Sequence, residues 1–184
     1  IEFFASKSDY QCVTYDNRGC GRSSAPLFPY YTTSQMAKDA LALIDHLQWK
    51  QCHVVGISMG GMIALEFALL APKRILSLTL LATHAGGLSG QAPFSGINHI
   101  LQSMLLRDEN AVIENVMAML YIYIWSFYDY HIERFRKRIH PSLSGLIGHI
   151  AAVVRHYISY ADLLKIRYSP FECLIMVGTE DRLN

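Results

Sequence analysis

The strongest constraint on the fold is one stretch, residues 52–71, with the sequence CHVVGISMGGMIALEFALLA. Residues 53–55 form a short apolar run with β-branched side chains, which predicts a buried strand. Residues 61–70 are almost continuously apolar and stop close to Pro72, which predicts a buried helix. The stretch is therefore predicted to be a strand, a tight turn and a helix, around which the rest of the chain packs.

The turn itself, Gly56-Ile57-Ser58-Met59-Gly60, is typical of a nucleophile elbow. Such a turn forces its serine into a strained backbone conformation, and the two glycines lack the Cβ atoms that would clash where the chain doubles back. Ser58 Oγ would then stand above the carboxyl-terminal edge of a sheet, and the Met59 N–H would point at an oxyanion formed there. The alternative is a tight strand–helix turn in which the serine is incidental.

Composition and charge narrow the class of protein. The 184 residues are 52% hydrophobic and 17% charged, which is typical of one globular domain with a sizeable core. The net charge is +1, so nothing favours a nucleic-acid partner.

The spacing of the cysteines and the length of the apolar runs indicate where in the cell the protein is located. Cys12, Cys20, Cys52 and Cys173 show neither metal-ligand nor C-x-x-C spacing, so we expect no disulfide framework and no metal site. The longest apolar run, residues 116–128, is shorter than the ~20 residues that span a bilayer. With no signal-peptide pattern at residues 1–10 either, a cytoplasmic location is favoured.

The order of elements predicts a parallel α/β sheet. Strands are predicted at residues 10–15, 52–57, 75–81 and 171–177, with helices at residues 32–47 and 61–70 between the first three. Residues 32–34, Thr-Thr-Ser, offer an N-cap for the first of these helices. Strands that alternate with helices indicate parallel pairing with helices on the faces of the sheet.

Residues 88–166 differ in texture and predict a helical insertion, a cap or lid. Its helices are predicted at residues 98–106, 109–128, 131–139 and 143–164. Several methionine and aromatic side chains could line an apolar pocket, or could simply pack helix against helix: Met104, Met117, Met119, Tyr121, Tyr123, Trp125 and Phe127. The organisation is thus core residues 1–87, cap residues 88–166 and returning core residues 167–184.

A glycine-rich loop, residues 16–24, follows the first predicted strand. It lacks the lysine of a phosphate-binding loop and no helix follows at once. We therefore expect Asp16 and Arg18 to take part in a charge network that shapes this loop.

Three motifs together resemble the α/β-hydrolase fold superfamily of the serine hydrolase type: D-x-R-G-x-G-x-S at residues 16–23, G-x-S-x-G-G at residues 56–61 and G-T-E-D-R-L at residues 178–183. The resemblance implies that the four predicted strands correspond to strands 4 to 7 of an eight-stranded sheet. It also implies that Ser58 is the nucleophile, Met59 an oxyanion-hole donor and Asp181 the acid of a catalytic triad. Asp181 has an alternative interpretation as a turn-forming residue after a strand.

The departures from the family pattern predict truncation at both ends. The H-G motif after strand 3 and the triad histidine after strand 8 are both missing. His84 is the one histidine expected at the active edge, where it would line the pocket; we also consider it as a substitute base.

The resemblance implies a serine hydrolase that acts on a small apolar ester or related acyl substrate, without metal or organic cofactor. The alternative is a non-catalytic α/β-hydrolase-like ligand-binding protein or an inactive fragment. In the family, strand 3 lies between strands 4 and 5. Its absence predicts either a gap one strand wide or direct pairing of residues 10–15 with residues 52–57, and direct pairing is slightly favoured.

Overall fold

The predicted strand–turn–helix unit is present, and the other elements pack around it. The computed structural model describes residues 4, 6–7, 9–24, 31–87, 108, 110–112, 114–115, 132–133, 136–137 and 142–178. Within them, the complete helices are α1 (Thr33–His46), α2 (Met59–Leu70), α3 (Leu143–Arg155) and α4 (Tyr160–Arg167). The strands are β1 (Cys52–Ile57), β2 (Ile75–Leu81) and β3 (Glu172–Met176).

The described strands form a parallel sheet in the order β1-β2-β3. Gly56 of β1 lies opposite Leu80 of β2, and Leu80 lies opposite Ile175 of β3. The strands predicted at residues 52–57, 75–81 and 171–177 are confirmed to within one residue at each end. Because the strands are parallel, their carboxyl ends meet at one edge, and the β1–α2 turn lies there.

Helix α2 forms the centre of the core because almost every side of it is apolar. It packs against α1 and across β1 and β2. Most of the large buried side chains come from α1, α2 and β2: Met36, Ile44, Met62, Ile63, Leu65, Phe67, Ile75, Leu78 and Leu80; Tyr31, Ile158, Ile166 and Phe171 are buried outside these elements. Each contributes roughly 1.5–3 kcal/mol by leaving water, and α2 supplies more of them than any other helix of the described part.

Helix α1 begins at its predicted cap, because the Thr32 hydroxyl accepts a hydrogen bond from the Gln35 N–H at 3.0 Å. The helix also anchors the glycine-rich loop. Arg18 forms a two-pronged ion pair with Asp39 on α1, with N–O distances of 2.6 and 2.7 Å. Asp16 instead accepts from the Arg22 N–H at 3.0 Å. The loop-shaping interpretation is confirmed, although Asp16 and Arg18 act separately.

The strand predicted at residues 10–15 is wrong, and so is the preference for its direct pairing with β1. These residues have no strand hydrogen bonds. A cavity of about 270 Å³ separates residues 13–15 from residues 52–55 of β1, with α1 and α2 side chains lining it as well. The segment is anchored on α1 by the ion pair of Arg18 with Asp39, and Gln11 Oε1 accepts from Trp49 Nε1 at 3.1 Å. Of the two predicted arrangements, the structure therefore has the gap between residues 10–15 and β1.

The helix predicted at residues 143–164 is also wrong in one respect, because it is broken at residues 156–159. There the Ile158 N–H donates to the Ala85 carbonyl at 2.7 Å, and Ser159 caps α4 by accepting from the Asp162 N–H. The helix predicted at residues 98–106 lies outside the described residues. Of those at residues 109–128 and 131–139, only residues 110–112, 114–115, 132–133, 136 and 137 are described, and all but residue 137 are helical.

In the described ranges, no helix has both the length and the apolar character needed to cross a bilayer. All four cysteines are free thiols, as expected.

A buried polar network joins α1, α2 and the α3–α4 break. His156 is only 3% exposed. The Thr33 hydroxyl donates to Glu66 Oε1 at 3.2 Å, and it lies 2.9 Å from His156 Nδ1. Since the hydroxyl proton points at Glu66, the contact with His156 requires the hydrogen on Nδ1. His156 Nε2 then has a buried lone pair with no partner among the described residues.

Burial, together with the nearby His84, lowers the pKa of His156 to about 4 from its ordinary 6.5. Between these values the unfolded chain binds a proton that the folded chain does not, so the free energy of unfolding falls as the pH drops through this window. The full effect is about 3 kcal/mol. We expect urea unfolding of the full-length gene product to show a lower midpoint at about pH 5 than at pH 7, and His156→Gln to flatten this dependence.

The pH dependence of unfolding has to be compared between His156→Gln and the wild type because Glu66 also contributes to it. Burial raises the pKa of Glu66, which makes its own contribution opposite in sign. The difference between the two pH profiles isolates His156. Equal profiles would show that the pKa of His156 is the same in the folded and the unfolded chain.

The β1–α2 turn depends on Gly56 rather than on Gly60. A Cβ at Gly56 would lie against the Gly60 carbonyl and 2.8 Å from Gly61 Cα, whereas a Cβ at Gly60 would meet nothing within 4 Å. The prediction that both glycines avoid a clash is therefore wrong for Gly60. We expect Gly56→Ala to cost about 2–3 kcal/mol by overpacking, and Gly60→Ala to be neutral or slightly stabilising because alanine favours helix.

Thermal unfolding of the two alanine variants checks this, since both make the same chemical change four residues apart. Equal losses of stability in both would contradict the packing seen at Gly56.

The edge of β1 that faces the cavity predicts self-association. Val55 and Ile57 are 66% and 65% exposed on this strand, and an apolar open edge is a template for pairing with another chain. We expect the 184-residue chain to aggregate at micromolar concentration, and Val55→Lys to reduce aggregation. Leu143→Lys is the matched control, because Leu143 is 70% exposed on α3, away from the sheet. A monomeric, cooperatively melting wild type in size-exclusion and thermal measurements would refute this.

Candidate active site

Ser58 lies at the turn between β1 and α2 in a backbone conformation that is rare for a residue with a side chain. Its φ is 52° and its ψ is −122°, and the residue is exposed. Such a conformation costs about 1–3 kcal/mol and persists only where the surroundings impose it.

The surroundings of Ser58 impose it through hydrogen bonds on both sides of the residue. The Ser58 N–H donates to the Leu81 carbonyl at the end of β2, at 2.9 Å. The Ser58 carbonyl accepts from the N–H groups of Gly61 and Met62 at 2.8 and 3.2 Å, and from Thr83 Oγ1 at 2.8 Å. The serine side chain is therefore presented at the carboxyl-terminal edge of the sheet, as the sequence predicts.

Met59 is the first residue of α2. The first N–H groups of a helix have no partner within the helix, and they carry the positive end of the helix dipole. The Met59 N–H, which directly follows Ser58, is one of these groups.

His84 is the third residue after the end of β2. Its Nδ1 accepts a hydrogen bond from the Gly86 N–H at 3.0 Å, so the hydrogen of the neutral ring is on Nε2. Burial lowers the pKa of His84, which keeps the ring neutral at about pH 7. With one nitrogen occupied and the other protonated, His84 has no free lone pair for the proton of Ser58. No hydrogen bond joins the two side chains in the described structure.

Asp181 lies outside the described residues. The end of β3 that leads toward it is placed at the same edge, because the Ala82 N–H donates to the Met176 carbonyl at 2.8 Å. Across the described ranges, no group of three or more histidine, cysteine or acidic side chains is arranged to hold a metal ion.

The sequence places Thr83 at the same sheet edge as Ser58, but the contact of the Thr83 hydroxyl with the Ser58 carbonyl was not predicted. Two features of the sequence could have indicated this contact. Thr83 is a polar residue just after an apolar strand, at the predicted edge, and Gly61 is a second glycine after Gly60. A Cβ at Gly61 would lie 2.6 Å from Thr83 Cβ. Sequence reasoning also missed the buried His156, which looked like one more cap histidine.

Relatives of this chain are hydrolases. It is 28% identical over 180 residues to the 2-hydroxy-6-oxononadienedioate/2-hydroxy-6-oxononatrienedioate hydrolase 2 of Pseudomonas putida, a match that covers 94% of this chain and 61% of the relative. The crystal structure of a hydrolase from Pseudomonas aeruginosa PA01 is similar at 28% identity and a TM-score of 0.67, over 89% of this chain and 60% of that one.

The enol-lactonase from Burkholderia xenovorans LB400 shares the fold at 24% identity and a TM-score of 0.68, over 90% of this chain and 61% of that one. The chain thus spans about 60% of the length of these relatives. The sequence model of the alpha/beta hydrolase fold matches residues 1–142. Together with the parallel sheet and the β1–α2 turn, this match shows that the chain belongs to the α/β-hydrolase fold family.

Proposed function

We propose that Ser58 is the nucleophile of a serine hydrolase that acts on an ester or a related acyl substrate. The observation that carries the proposal is the strained turn at Ser58, with φ of 52°, which presents an exposed hydroxyl beside the free N–H of a helix start. Gln48 and Ala82 also have a positive φ, so the strain supports the proposal only in combination with the exposed hydroxyl and the adjacent helix start.

The chemistry follows from this placement. Ser58 Oγ attacks the substrate carbonyl carbon and gives up its proton to a base, while the Met59 N–H donates to the oxyanion that forms. The bond to the leaving alcohol breaks, and the alcohol takes the proton from the base. Water then repeats the sequence on the acyl-enzyme: it bonds to the acyl carbon, and the Ser58 hydroxyl is restored.

The base is proposed to be a histidine outside these 184 residues, and Asp181 is proposed to orient it. The described histidines support this assignment, because each is already engaged or lies elsewhere. His53 Nδ1 contacts Ser77 Oγ at 2.7 Å, and His149 Nε2 contacts the Arg18 carbonyl at 2.8 Å. His156 is buried, and His84 offers no free lone pair. His46 lies in the last turn of α1.

The substrate is proposed to be small and apolar, and no metal or organic cofactor enters the scheme. The hydrolase names of the relatives support hydrolysis as the reaction. Residues 88–166 are proposed to act as the cap over the site. The bond from the Ile158 N–H to the Ala85 carbonyl supports this, since it joins the end of that segment to the residues after β2.

The test is labelling of Ser58 with a fluorophosphonate probe, which requires an activated serine. We expect the full-length gene product to be labelled on Ser58, as located by peptide mass spectrometry, and Ser58→Ala to abolish it. Loss of a triad member costs roughly 10⁴–10⁶-fold in turnover. We therefore expect no measurable labelling of the 184-residue chain under the same conditions.

Two outcomes would contradict the proposal. Equal esterase activity in the wild type and Ser58→Ala would remove Ser58 from the mechanism. Robust labelling of the 184-residue chain that His84→Gln abolishes would make His84 the base. An unlabelled gene product whose coding sequence ends at Asn184 would favour the alternative, a non-catalytic ligand-binding relative.

A further inference from the structure

We propose that Thr83 is a positioning residue for this site, and that it acts by aiming the Met59 N–H. The inference rests on the proposed function, because it concerns the group that would stabilise the oxyanion. Thr83 lies two residues after β2, and its Oγ1 donates a hydrogen bond to the Ser58 carbonyl oxygen at 2.8 Å.

The link between the two groups is the planarity of the peptide unit. The Ser58 carbonyl and the Met59 N–H belong to the same unit, which is trans. In a trans peptide the C=O and N–H bonds point in opposite directions, and the partial double bond between them prevents rotation. A donor that fixes the direction of the carbonyl therefore fixes the direction of the N–H.

Thr83 adds something that the helix does not supply. The other donors to the Ser58 carbonyl, the N–H groups of Gly61 and Met62, belong to the first turn of α2 and move with it. The Thr83 hydroxyl comes from the segment that follows β2, so it ties the peptide to the end of the neighbouring strand. Each donor also polarises the peptide, which makes the Met59 N–H a stronger donor in turn.

The position of Thr83 is itself well determined. Ala82, just before it, has a positive φ of 43°, unusual for alanine, and its N–H donates to the Met176 carbonyl at 2.8 Å. The chain is thereby turned from the end of β2 toward α2. Gly61 leaves the room that Thr83 occupies, since a Cβ there would lie 2.6 Å from Thr83 Cβ.

A purely structural role and a positioning role of Thr83 predict opposite orders of severity for two substitutions. Thr83→Val keeps the shape of the side chain and its packing on Gly61 but removes the hydroxyl. Thr83→Ser keeps the hydroxyl and removes the methyl group. If Thr83 only fills space, the valine variant is the milder change; if its hydrogen bond aims the Met59 N–H, the serine variant is.

The experiment compares the full-length wild type, Thr83→Val and Thr83→Ser in the hydrolysis of p-nitrophenyl butyrate and in fluorophosphonate labelling. We expect Thr83→Val to lower kcat and the labelling rate by about 10-fold, with KM within about 2-fold, because the lost interaction stabilises only the transition state. We expect Thr83→Ser to stay within about 3-fold of the wild type on the same measures. Thr83→Val at wild-type rate would overturn the proposal.

A second readout is independent of activity. In protein labelled with ¹⁵N-methionine, the Met59 amide signal is identified by its shift in Ser58→Ala. We expect Thr83→Val to move its proton upfield, since the peptide is less polarised, and Thr83→Ser to restore it. An unmoved signal would count against the proposal. If Thr83→Val does not fold, Thr83→Ala replaces it in both measurements.

The two measurements separate this inference from the proposed function. A wild type that is neither labelled nor impaired by Ser58→Ala would sink the serine hydrolase, while the Met59 signal would still decide whether Thr83 holds the peptide.

Discussion

The strained peptide at Ser58 persists because its hydrogen bonds come from more than one element. Leu81 of β2 accepts from its N–H, and α2 and Thr83 donate to its carbonyl. A hydrogen bond contributes about 1 kcal/mol and the strain costs about 1–3 kcal/mol, so several such bonds are needed together. The arrangement therefore requires β1 and β2 to be neighbours in register. The bond from the Ala82 N–H to the Met176 carbonyl extends the same requirement to β3.

The break between α3 and α4 has a related role, because it holds the other end of the segment that carries Thr83. Ile158 donates to the Ala85 carbonyl, and Tyr157 forms a bridge with Gly86. Had the helix continued through residues 156–159, its N–H groups would have been used within the helix. Instead the Ile158 N–H binds the Ala85 carbonyl, while His156 is buried against Thr33. The residues after β2 are thus fixed at Ser58 on one side and at the α3–α4 break on the other.

The sequence predicted the parts of this fold that are set by local patterns. The β-branched run of β1, the all-apolar α2 and the Thr32 cap are each determined by neighbours along the chain, and the structure has them where they were predicted. The helix break at His156 was not predictable in this way, since it depends on contacts with Thr33 and Ala85, far away in sequence. For the same reason the elbow motif located Ser58, while the contact of Thr83 with its carbonyl required the pairing of β1 with β2.

The gap beside β1 is explained by the access of solvent to this strand. From the sequence, direct pairing of residues 10–15 with β1 is favoured because each buried backbone group that is left unpaired costs about 1–3 kcal/mol. Val55 and Ile57 are mostly exposed, however, so water reaches this strand and can bind the unpaired groups, which removes most of that cost. Moving residues 13–15 onto β1 would also pull the chain away from α1, where Arg18 holds Asp39 through two charge-assisted bonds. Hydration of the β1 edge and the anchoring of the loop by Arg18 therefore both favour the gap over direct pairing.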